Sequence, residues 1–264
     1  MGYIAQNFRF GFYNYPLRQR MAAIKQAGFD GVMLWWGSEY SETDSTPFEQ
    51  FDIAQSLGLR VDTVHFPTVK TNNLWDAGDK GRHLEDHIAK ALAEAGERGI
   101  QNLVVHTNKG RTPPPPSAVG VQRLQRLLAV AQQYQINIAL ENTRFLAHNA
   151  LVYQQLTSPR LGFCFDSGHA HAFTPTQDPL GLFSAHLTTV HLHDNVGHDG
   201  IDRHWMMGEG NIDFLPIIQM LKATGLTLFN LESRYSSRDE RDRMDMSQFL
   251  ELSFQRIRQL LDTP

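Results

Sequence analysis

Short apolar runs alternate with segments of helical periodicity along the whole sequence. The runs are rich in Val, Ile, Leu and Phe, are bounded by Gly, Asn or Pro, and are too short to be helices. They are Phe8–Phe12, Gly31–Trp36, Leu59–His65, Leu103–His106, Ile136–Glu141, Leu161–Asp166, Thr189–His193 and Leu226–Glu232. Amphipathic stripes lie between them, such as Leu84, Ile88, Leu92 and Ala95, which are spaced by three or four residues. The alternation predicts eight strand–helix units.

This pattern is typical of the α/β class. Nearly continuous hydrophobic strands separated by helices indicate a parallel sheet that is covered on both faces. Eight units in 264 residues fit a single (β/α)8 TIM barrel, residues 1–264, better than an open doubly wound sheet, although periodicity by itself does not close a barrel. In such a barrel the active site lies at the C-terminal ends of the strands.

The composition narrows the classes of function. With 24 Lys and Arg against 28 Asp and Glu, the formal net charge is −4, so no field-driven binding of nucleic acid is implied. No segment approaches the roughly 20 apolar residues that a membrane helix needs. The N-terminal residues lack the basic and apolar parts of a secretion signal, so we expect a cytoplasmic protein. The single cysteine, Cys164, excludes an internal disulfide and a cysteine-based zinc cluster, and the sequence allows a homo-oligomer without specifying one.

Six successive predicted strands end in side chains that bind metals. The strand-end residues are His65, His106, Glu141, Asp166, His191 and Glu232, and the adjoining loops add His169, Asp202 and His204. Barrel strand ends converge on one axis, so these nine groups must share a pocket. Four carboxylates so close together would repel one another unless cations lay between them. Imidazole and carboxylate ligands suit zinc, manganese or iron rather than calcium, which predicts a divalent metal site.

Three short motifs and one longer segment carry a family resemblance. The motifs are ENT after the fifth strand, D-x-x-H after the sixth, and D-R-H in the loop after the seventh; the segment is VHLHDNVGHDGIDRHWMMGEGNIDF, Val190–Phe214. They resemble the xylose-isomerase-like TIM-barrel superfamily, which contains sugar isomerases and epimerases, enzymes of inositol catabolism and endonuclease IV. The longer segment is especially similar to the sugar phosphate isomerase/epimerase branch, and the short motifs are also similar to endonuclease IV.

The resemblance implies two alternative ligand sets. The trinuclear zinc set of endonuclease IV falls on all nine candidates, which are His65, His106, Glu141, Asp166, His169, His191, Asp202, His204 and Glu232. The mononuclear isomerases and epimerases use only Glu141, Asp166, His191 and Glu232, and there the two glutamates also act as the catalytic acid and base at the sugar carbon. The expected cofactor is therefore a divalent metal, zinc or manganese, with one to three ions bound.

At two places, this sequence has other residues than the relatives that it resembles. The endonucleases wedge an aromatic and a large aliphatic residue into DNA just after the third-strand histidine, where this chain has Thr68 and Val69. The ketose epimerases carry an arginine six residues after the seventh-strand histidine, where this chain has Gly197. The first departure makes DNA a less favoured partner, and the second leaves the particular sugar reaction open.

The favoured function is a metal-dependent isomerase or epimerase of a sugar or sugar phosphate, acting by proton transfer next to a carbonyl. The alternative is an endonuclease IV-like phosphodiesterase that acts on abasic-site DNA or a small phosphate ester. A barrel retained only for binding is a third class, which nine filled ligand positions disfavour. Trp35 and Trp36, at the end of the second strand, are candidates either for a wall against the sugar or for packing at the barrel rim.

Charge separates the two enzymatic alternatives. Four carboxylates with one divalent ion keep an excess of negative charge, which suits a neutral sugar. Three divalent ions instead give an excess of positive charge, which attracts a phosphate ester. The number of bound ions therefore constrains the charge of the substrate.

Overall fold

The computed structural model describes residues 2–197, 200–235 and 244–263, and its parallel strands close into a barrel. Each strand pairs with the next along the chain, and the last pairs with the first. The strands are β1 (Tyr3–Asn7), β2 (Gly31–Trp35), β3 (Thr63–His65), β4 (Asn102–His106), β5 (Asn137–Glu141), β6 (Leu161–Asp166), β7 (Leu187–Leu192) and β8 (Leu228–Leu231). The predicted (β/α)8 barrel is confirmed, and the open sheet is excluded.

Helices follow the strands and cover the outside of the barrel. They are α1 (Leu17–Gln26), α2 (Ser41–Asp44), α3 (Pro47–Ser56), α4 (Asp79–Gly96), α5 (Ala118–Gln133), α6 (Ala147–Gln155), α7 (Ser167–Phe173), α8 (Pro179–Phe183), α9 (Phe214–Ala223) and α10 (Met246–Asp262). The predicted stripe of Leu84, Ile88, Leu92 and Ala95 on α4 is buried in the main apolar core, which confirms the helical periodicity there. Among the helices in the three described ranges, none is both long and apolar enough to cross a membrane.

The first strand lies upstream of the predicted one. The apolar run Phe8–Phe12 predicts a strand, but β1 is Tyr3–Asn7. Phe12 has a positive φ of 56°, which an extended strand does not allow. The ring of Phe10 stacks on Phe249 of α10, with 6.1 Å between the ring centroids. The run is apolar because it packs against a helix and not because it belongs to the sheet, so this prediction was wrong.

The strands β3 and β7 also differ from their predicted bounds. Regular pairing of β3 begins at Thr63 rather than Leu59, because Arg60 makes only an isolated bridge to β2. β7 begins earlier than predicted, at Leu187, and its pairing ends before His193. The backbone N–H of His193 instead donates to the Ser167 hydroxyl at 3.1 Å. Both shifts leave the predicted strand-end histidines in place.

The inward-facing residue two positions before each strand-end ligand is small or compact. These residues are Thr63, Val104, Ala139, Cys164, Thr189 and Asn230, and all are buried. Asn230 Nδ2 donates to Thr189 Oγ1 at 2.7 Å, and the hydroxyl oxygens of Thr63 and Thr189 are 3.3 Å apart. Val104, Ala139 and Cys164 form a small apolar cluster of their own. Because side chains alternate across a strand, the next inward position on each strand is the candidate ligand.

A buried ion pair holds the segment between β2 and α3. The guanidinium groups of Arg20 and Arg9 both bind the carboxylate of Asp44, at the end of α2. The side chains of Arg20 and Asp44 are only 1% and 2% exposed, so water screens their attraction little. Arg9 also stacks over the ring of Tyr40, which faces the mouth of the barrel. The ion pair therefore fixes Tyr40 beside the functional end of the barrel.

We expect Asp44→Ala to lower the free energy of unfolding by about 3–5 kcal/mol, because it leaves the Arg20 guanidinium buried without its charged partner. Urea denaturation followed by circular dichroism measures the change. The matched control is Asp79→Ala, which removes an exposed ion pair with Arg82 and should have a much smaller effect. Equal effects of the two substitutions would contradict the argument from burial.

Candidate metal centre

The strand ends surround a cavity of about 300 Å³ at the C-terminal mouth of the barrel. The predicted ligands that line it are His65, His106, Glu141, His169, Asp202, His204 and Glu232. Asp166 and His191 are fully buried beside these residues, and their donor atoms lie within 4.8 Å of those of Glu232. The structure thus brings all nine predicted side chains together. The volume is at the lower end of the range for sites that bind small molecules.

Backbone carbonyl groups orient three of the histidines. Their Nδ1 atoms lie 2.7–3.1 Å from the carbonyl oxygens. The pairs are His65 with Phe66, His169 with Asn142, and His204 with Glu232. A carbonyl oxygen only accepts hydrogen bonds, so Nδ1 carries the proton and Nε2 carries the lone pair in each neutral ring.

The Nε2 atoms of these rings point at carboxylate oxygens. His65 Nε2 is 3.1 Å from Glu141 Oε2. His169 Nε2 and His204 Nε2 lie 3.3 and 2.8 Å from Asp202 Oδ2. A neutral ring with its proton on Nδ1 would set a lone pair against an ionised oxygen. Each contact therefore needs a proton or a metal ion between its two atoms.

His191 lies among three carboxylates. Its Nδ1 is 3.4 Å from Glu141 Oε1, 3.7 Å from Glu232 Oε2 and 3.9 Å from Asp166 Oδ2. Neither ring nitrogen has a nitrogen or oxygen hydrogen-bond partner within the described part of the chain, although the ring is fully buried, and the Cys164 thiol is a further neighbour. Buried polar atoms without partners are costly, so the arrangement fits a cation held by these four residues.

The imidazoles shift the pKa values of the glutamates. Burial by itself raises the pKa of Glu141, but the charges of His106 and His191 outweigh it and hold that pKa well below its usual value. Burial also raises the pKa of Glu232, and His191 and His204 again outweigh it, so the pKa falls to about 2. Both carboxylates are therefore ionised at neutral pH.

The carboxylates raise the pKa values of the imidazoles. Burial lowers the pKa of His169, yet the charges of Asp166 and Asp202 raise it well above its usual value. Burial likewise lowers the pKa of His193, and Asp166 again more than compensates. Protons on these rings and a metal ion at their nitrogens are therefore alternative ways of balancing the same negative charge.

The donor atoms approach closely enough to share metal ions. In each of four groups, all donor atoms lie within 4.8 Å of one another. The groups are His65 with Glu141 and His191; His106 with Glu141 and His169; Asp166 with His191 and Glu232; and His193 with His204 and Glu232. Residues shared between groups suit one ion or several adjoining ions. Nitrogen and carboxylate donors fit zinc or manganese, so the residues present match the predicted cofactor.

Sequence reasoning left His193 out of the candidate ligands. Its Nε2 lies 3.1 Å from Asp166 Oδ1, and its ring stacks on His204 with 4.1 Å between the centroids. The signal was present in the sequence, because His193 follows His191 by two residues, and that spacing in an extended segment puts both side chains on one side. His193 belongs to the same cluster.

The two tryptophans at the end of β2 point in different directions. Trp35 lines the cavity and stacks on His65, with ring centroids 4.9 Å apart and planes inclined by 10°. Trp36 turns outward, where its Nε1 donates to Glu94 Oε2 at 3.3 Å and its ring packs edge-on against Phe48. Consecutive residues of an extended chain face opposite sides, so only one of the two can reach the cavity. Of the two alternatives that the sequence leaves open, Trp36 therefore takes packing at the barrel rim rather than a place in the cavity wall.

Further polar residues that sequence reasoning missed complete the cavity wall. They are Asn108, Lys109, Thr143, Arg144 and Arg234. Each follows a strand-end ligand by two or three residues. That short distance along the chain was the available signal, since the loops after barrel strands build the active-site wall.

The fold and the site define the class of protein. The sequence model of the xylose isomerase-like TIM barrel family matches residues 21–251, so the chain belongs to this family. An uncharacterized protein of Methanocaldococcus jannaschii is 34% identical over 113 residues. That match covers 39% of this chain and only 38% of the relative's length.

Several solved structures share the fold over nearly the whole chain. A D-tagatose 3-epimerase-like protein has a TM-score of 0.73 at 20% identity, covering 99% of this chain and 97% of that one. An L-ribulose 3-epimerase has a TM-score of 0.76 at 17% identity, covering 99% and 95%. The 3-keto-D-glucoside 4-epimerase YcjR of E. coli has a TM-score of 0.72 at 19% identity, covering 98% and 100%. At these identities the likeness establishes the fold alone.

We expect a chelator to lower the melting temperature and zinc or manganese to restore it, because removing the ions leaves the carboxylates without their counter-charge. Thermal unfolding with and without EDTA measures the effect. Glu141→Gln should weaken the metal-dependent part of the shift, whereas His83→Ala, at an exposed position on α4, should leave it intact. An unchanged melting temperature on chelation would rule out a shared metal site.

The chelation effect should depend on pH in a definite direction. In the metal-free protein, the raised pKa of His169 gives a stabilising contribution that is complete below 6.5 and is lost as the pH rises through the folded value. The lowered pKa of Glu141 gives a contribution that is complete above 4.5 and is lost as the pH falls. Metal binding displaces imidazole protons and therefore strengthens with pH. The gap in melting temperature between metal-loaded and chelated protein should be larger at about pH 8 than at about pH 5.5, and the reverse order would contradict this account.

Proposed function

We propose that the protein is a divalent-metal-dependent sugar isomerase or epimerase that acts by proton transfer at the carbon next to a carbonyl. The observation that carries the proposal is the position of His191, whose Nδ1 has Glu141, Asp166 and Glu232 within 4.0 Å. These four positions are the ones that hold a single metal ion in the mononuclear isomerases and epimerases that the chain resembles. The substrate class is therefore a small sugar, free or phosphorylated.

Glu141 and Glu232 are the proposed acid and base. They stand at the ends of β5 and β8, with two strands between them, and both line the cavity. Asn7 Nδ2 donates to Glu232 Oε1 at 2.9 Å, which orients this carboxylate with Oε2 towards His191. Because both carboxylates are ionised at neutral pH, either can accept the proton from the sugar carbon, and the carboxyl group so formed is the acid that returns it.

The other residues of the site bind and orient the sugar. Asp166 and His191 would hold the metal together with the two glutamates, and the bound ion supplies positive charge that stabilises developing negative charge on the sugar oxygens. The ring of Trp35 offers a flat apolar surface to the C–H groups of a sugar. Tyr40 packs edge-on against that ring, with 5.5 Å between the centroids, and keeps it in place.

The solved structures of similar fold support this class of reaction. They carry names such as D-tagatose 3-epimerase-like protein and L-ribulose 3-epimerase. This chain differs at Gly197, where ketose epimerases have an arginine. Its φ is +83°, which favours glycine, and a Cβ there would lie 2.6 Å from the ring of His171, so a larger side chain would strain the backbone and displace that ring. The proposal is therefore proton transfer next to a carbonyl, without assignment to ketose 3-epimerisation.

A second candidate function is metal-dependent hydrolysis of a phosphodiester. It is favoured by Asp202 and His204, which lie outside the mononuclear set yet meet at 2.8 Å beside His169. Several ions held there would outweigh the carboxylate charge and attract a phosphate. DNA is the less favoured substrate, because Thr68 stands where an aromatic wedge would be and accepts a hydrogen bond from Lys109 instead.

In D₂O with manganese or zinc, the protein should exchange a carbon-bound hydrogen of its sugar substrate for deuterium. NMR of candidate ketoses, aldoses and their phosphates detects this exchange. Glu232→Gln should slow it by about 10²- to 10⁴-fold, because the amide keeps the shape of the side chain and cannot accept the proton. The matched control is Glu251→Gln on the exposed face of α10, which should exchange at the wild-type rate.

Hydrolysis would give a different pattern in the same experiment. Cleavage of phosphate diesters or abasic-site DNA, lost in Asp202→Asn and unaccompanied by deuterium in any sugar, would overturn the proposal in favour of the second candidate. Deuterium exchange that survives Asp202→Asn would support the mononuclear reaction, which does not need that ligand.

A further inference from the structure

On the rim of the cavity, the cationic side chains of Lys109 and Arg144 have no carboxylate partner among the described residues. Lys109 follows β4, Arg144 follows β5, and both line the cavity. Within residues 2–197, 200–235 and 244–263, no carboxylate lies within 4.0 Å of either cation. The cavity therefore has acidic groups at its floor and cationic groups at its rim. We call Lys109 and Arg144 together the basic rim.

Hydrogen bonds hold Lys109 in a fixed position. The side chain of Asn72 makes hydrogen bonds to both backbone groups of Lys109. Asn72 Oδ1 accepts from Lys109 N, and Asn72 Nδ2 donates to Lys109 O, each at 2.9 Å. Lys109 Nζ donates to Thr68 Oγ1 at 2.8 Å, which leaves two of its three donors for a ligand. Asn108 Nδ2 donates to Phe145 O at 3.0 Å and ties this loop to the loop after β5. The ammonium group is thus positioned before any ligand binds.

Arg144 is held by contacts that leave most of its donors for a ligand. Its guanidinium carbon lies 3.7 Å from the ring centroid of Phe173, and its Nη2 donates to Gly200 O at 2.7 Å. Burial and, to a smaller extent, the nearby charge of Arg111 lower the pKa of Arg144, while the charge of Asp202 opposes them. A bound anion would favour the charged form of this partly buried guanidinium.

Two buried polar atoms beside the basic rim lack hydrogen-bond partners among the described residues. They are the hydroxyl of Thr143 and the amide oxygen of Asn108, in residues that are 4% and 0% exposed and that both line the cavity. Buried groups of this kind are normally paired, so a ligand that fills the cavity is their natural partner. The hydroxyl can donate to a phosphate or sugar oxygen, and the amide oxygen can accept from a sugar hydroxyl.

We propose that the basic rim binds the phosphate group of a phosphorylated sugar whose carbonyl end reaches Glu141 and Glu232. The inference rests on the proposed function for the chemistry at that carbonyl end. A phosphate monoester carries a charge of about −1.5 to −2 near pH 7, which matches two cations, and its three oxygens accept several donors. The carboxylates at the floor repel such a group, so the basic rim holds it away from them and orients the sugar between the two ends.

A sugar acid is the other source of a negative substituent. Its carboxylate carries one charge and two oxygens, and it would leave one cation of the basic rim uncompensated. Phosphate is therefore the assigned group. Sugar acids enter the experiment as a separate arm.

The test is isothermal titration calorimetry on metal-loaded protein. Ketopentose 5-phosphates and ketohexose 6-phosphates are compared with their unphosphorylated parents and with sugar acids of the same length. The phosphorylated ligand should bind at least about 100-fold more tightly than its parent. Lys109→Gln and Arg144→Gln should each reduce this ratio by roughly 10- to 100-fold. Arg82→Gln, at an exposed position on α4, is the matched control and should keep the wild-type ratio.

Each other outcome has a defined meaning. Equal affinity for phosphorylated and parent sugars would overturn the inference, while deuterium exchange in the neutral sugar would leave the proposed function standing. A preference for phosphate that survives both substitutions would assign the phosphate to the metal ions and would also overturn the inference. Sugar acids that bind as tightly as phosphates would overturn it as well. Phosphate binding that depends on the basic rim, without carbon exchange in any sugar, would support the anion site and count against the isomerase reaction.

Discussion

The structure of this protein depends on the balance of charge at the mouth of the barrel. Glu141, Asp166 and Glu232 are almost fully buried there, and Asp202 joins them with its side chain 23% exposed. Repulsion between carboxylates is strong in such a poorly solvated place. Imidazoles lie against them. The attraction between the two kinds of group lowers the pKa of Glu141 and raises the pKa of His169. A metal ion satisfies both kinds of donor at once, whereas protons on the imidazoles do so only until the pH rises through the raised pKa values of those rings.

The register of the barrel brings these groups together. His106 pairs with Glu141 across β4 and β5, and Asp166 pairs with His191 across β6 and β7. Neighbouring ligands are therefore side by side before any loop is considered. The inward-facing residues two positions before the ligands are small, so the ligands have room to converge. Hydrogen bonds such as that from Asn230 to Thr189 stabilise this layer of small residues. A larger side chain in that layer would push the ligands apart.

At this end of the molecule, the strand ends and the loops supply different functional groups. The strand ends supply the acid–base groups and the candidate metal ligands, which need to be positioned closely. The loops after β4 and β5 supply Lys109, Thr143 and Arg144 to the wall of the cavity. This arrangement lets the loops change the substrate while the strands keep the chemistry, as is general for barrels of this class.

The sequence by itself determined the class of fold and the positions of the candidate ligands, because both are local patterns. The run Ile136–Glu141 reads as a buried strand that ends in a carboxylate, and β5 follows it within one residue. Tertiary structure decided what local pattern leaves open. Phe10 is buried by a helix more than 200 residues further along the chain, Trp36 turns away from the cavity, and Lys109 reaches the rim because Asn72 holds its backbone. Periodicity encodes which face of an element is buried, whereas the partner that buries it is selected by contacts between residues far apart in sequence.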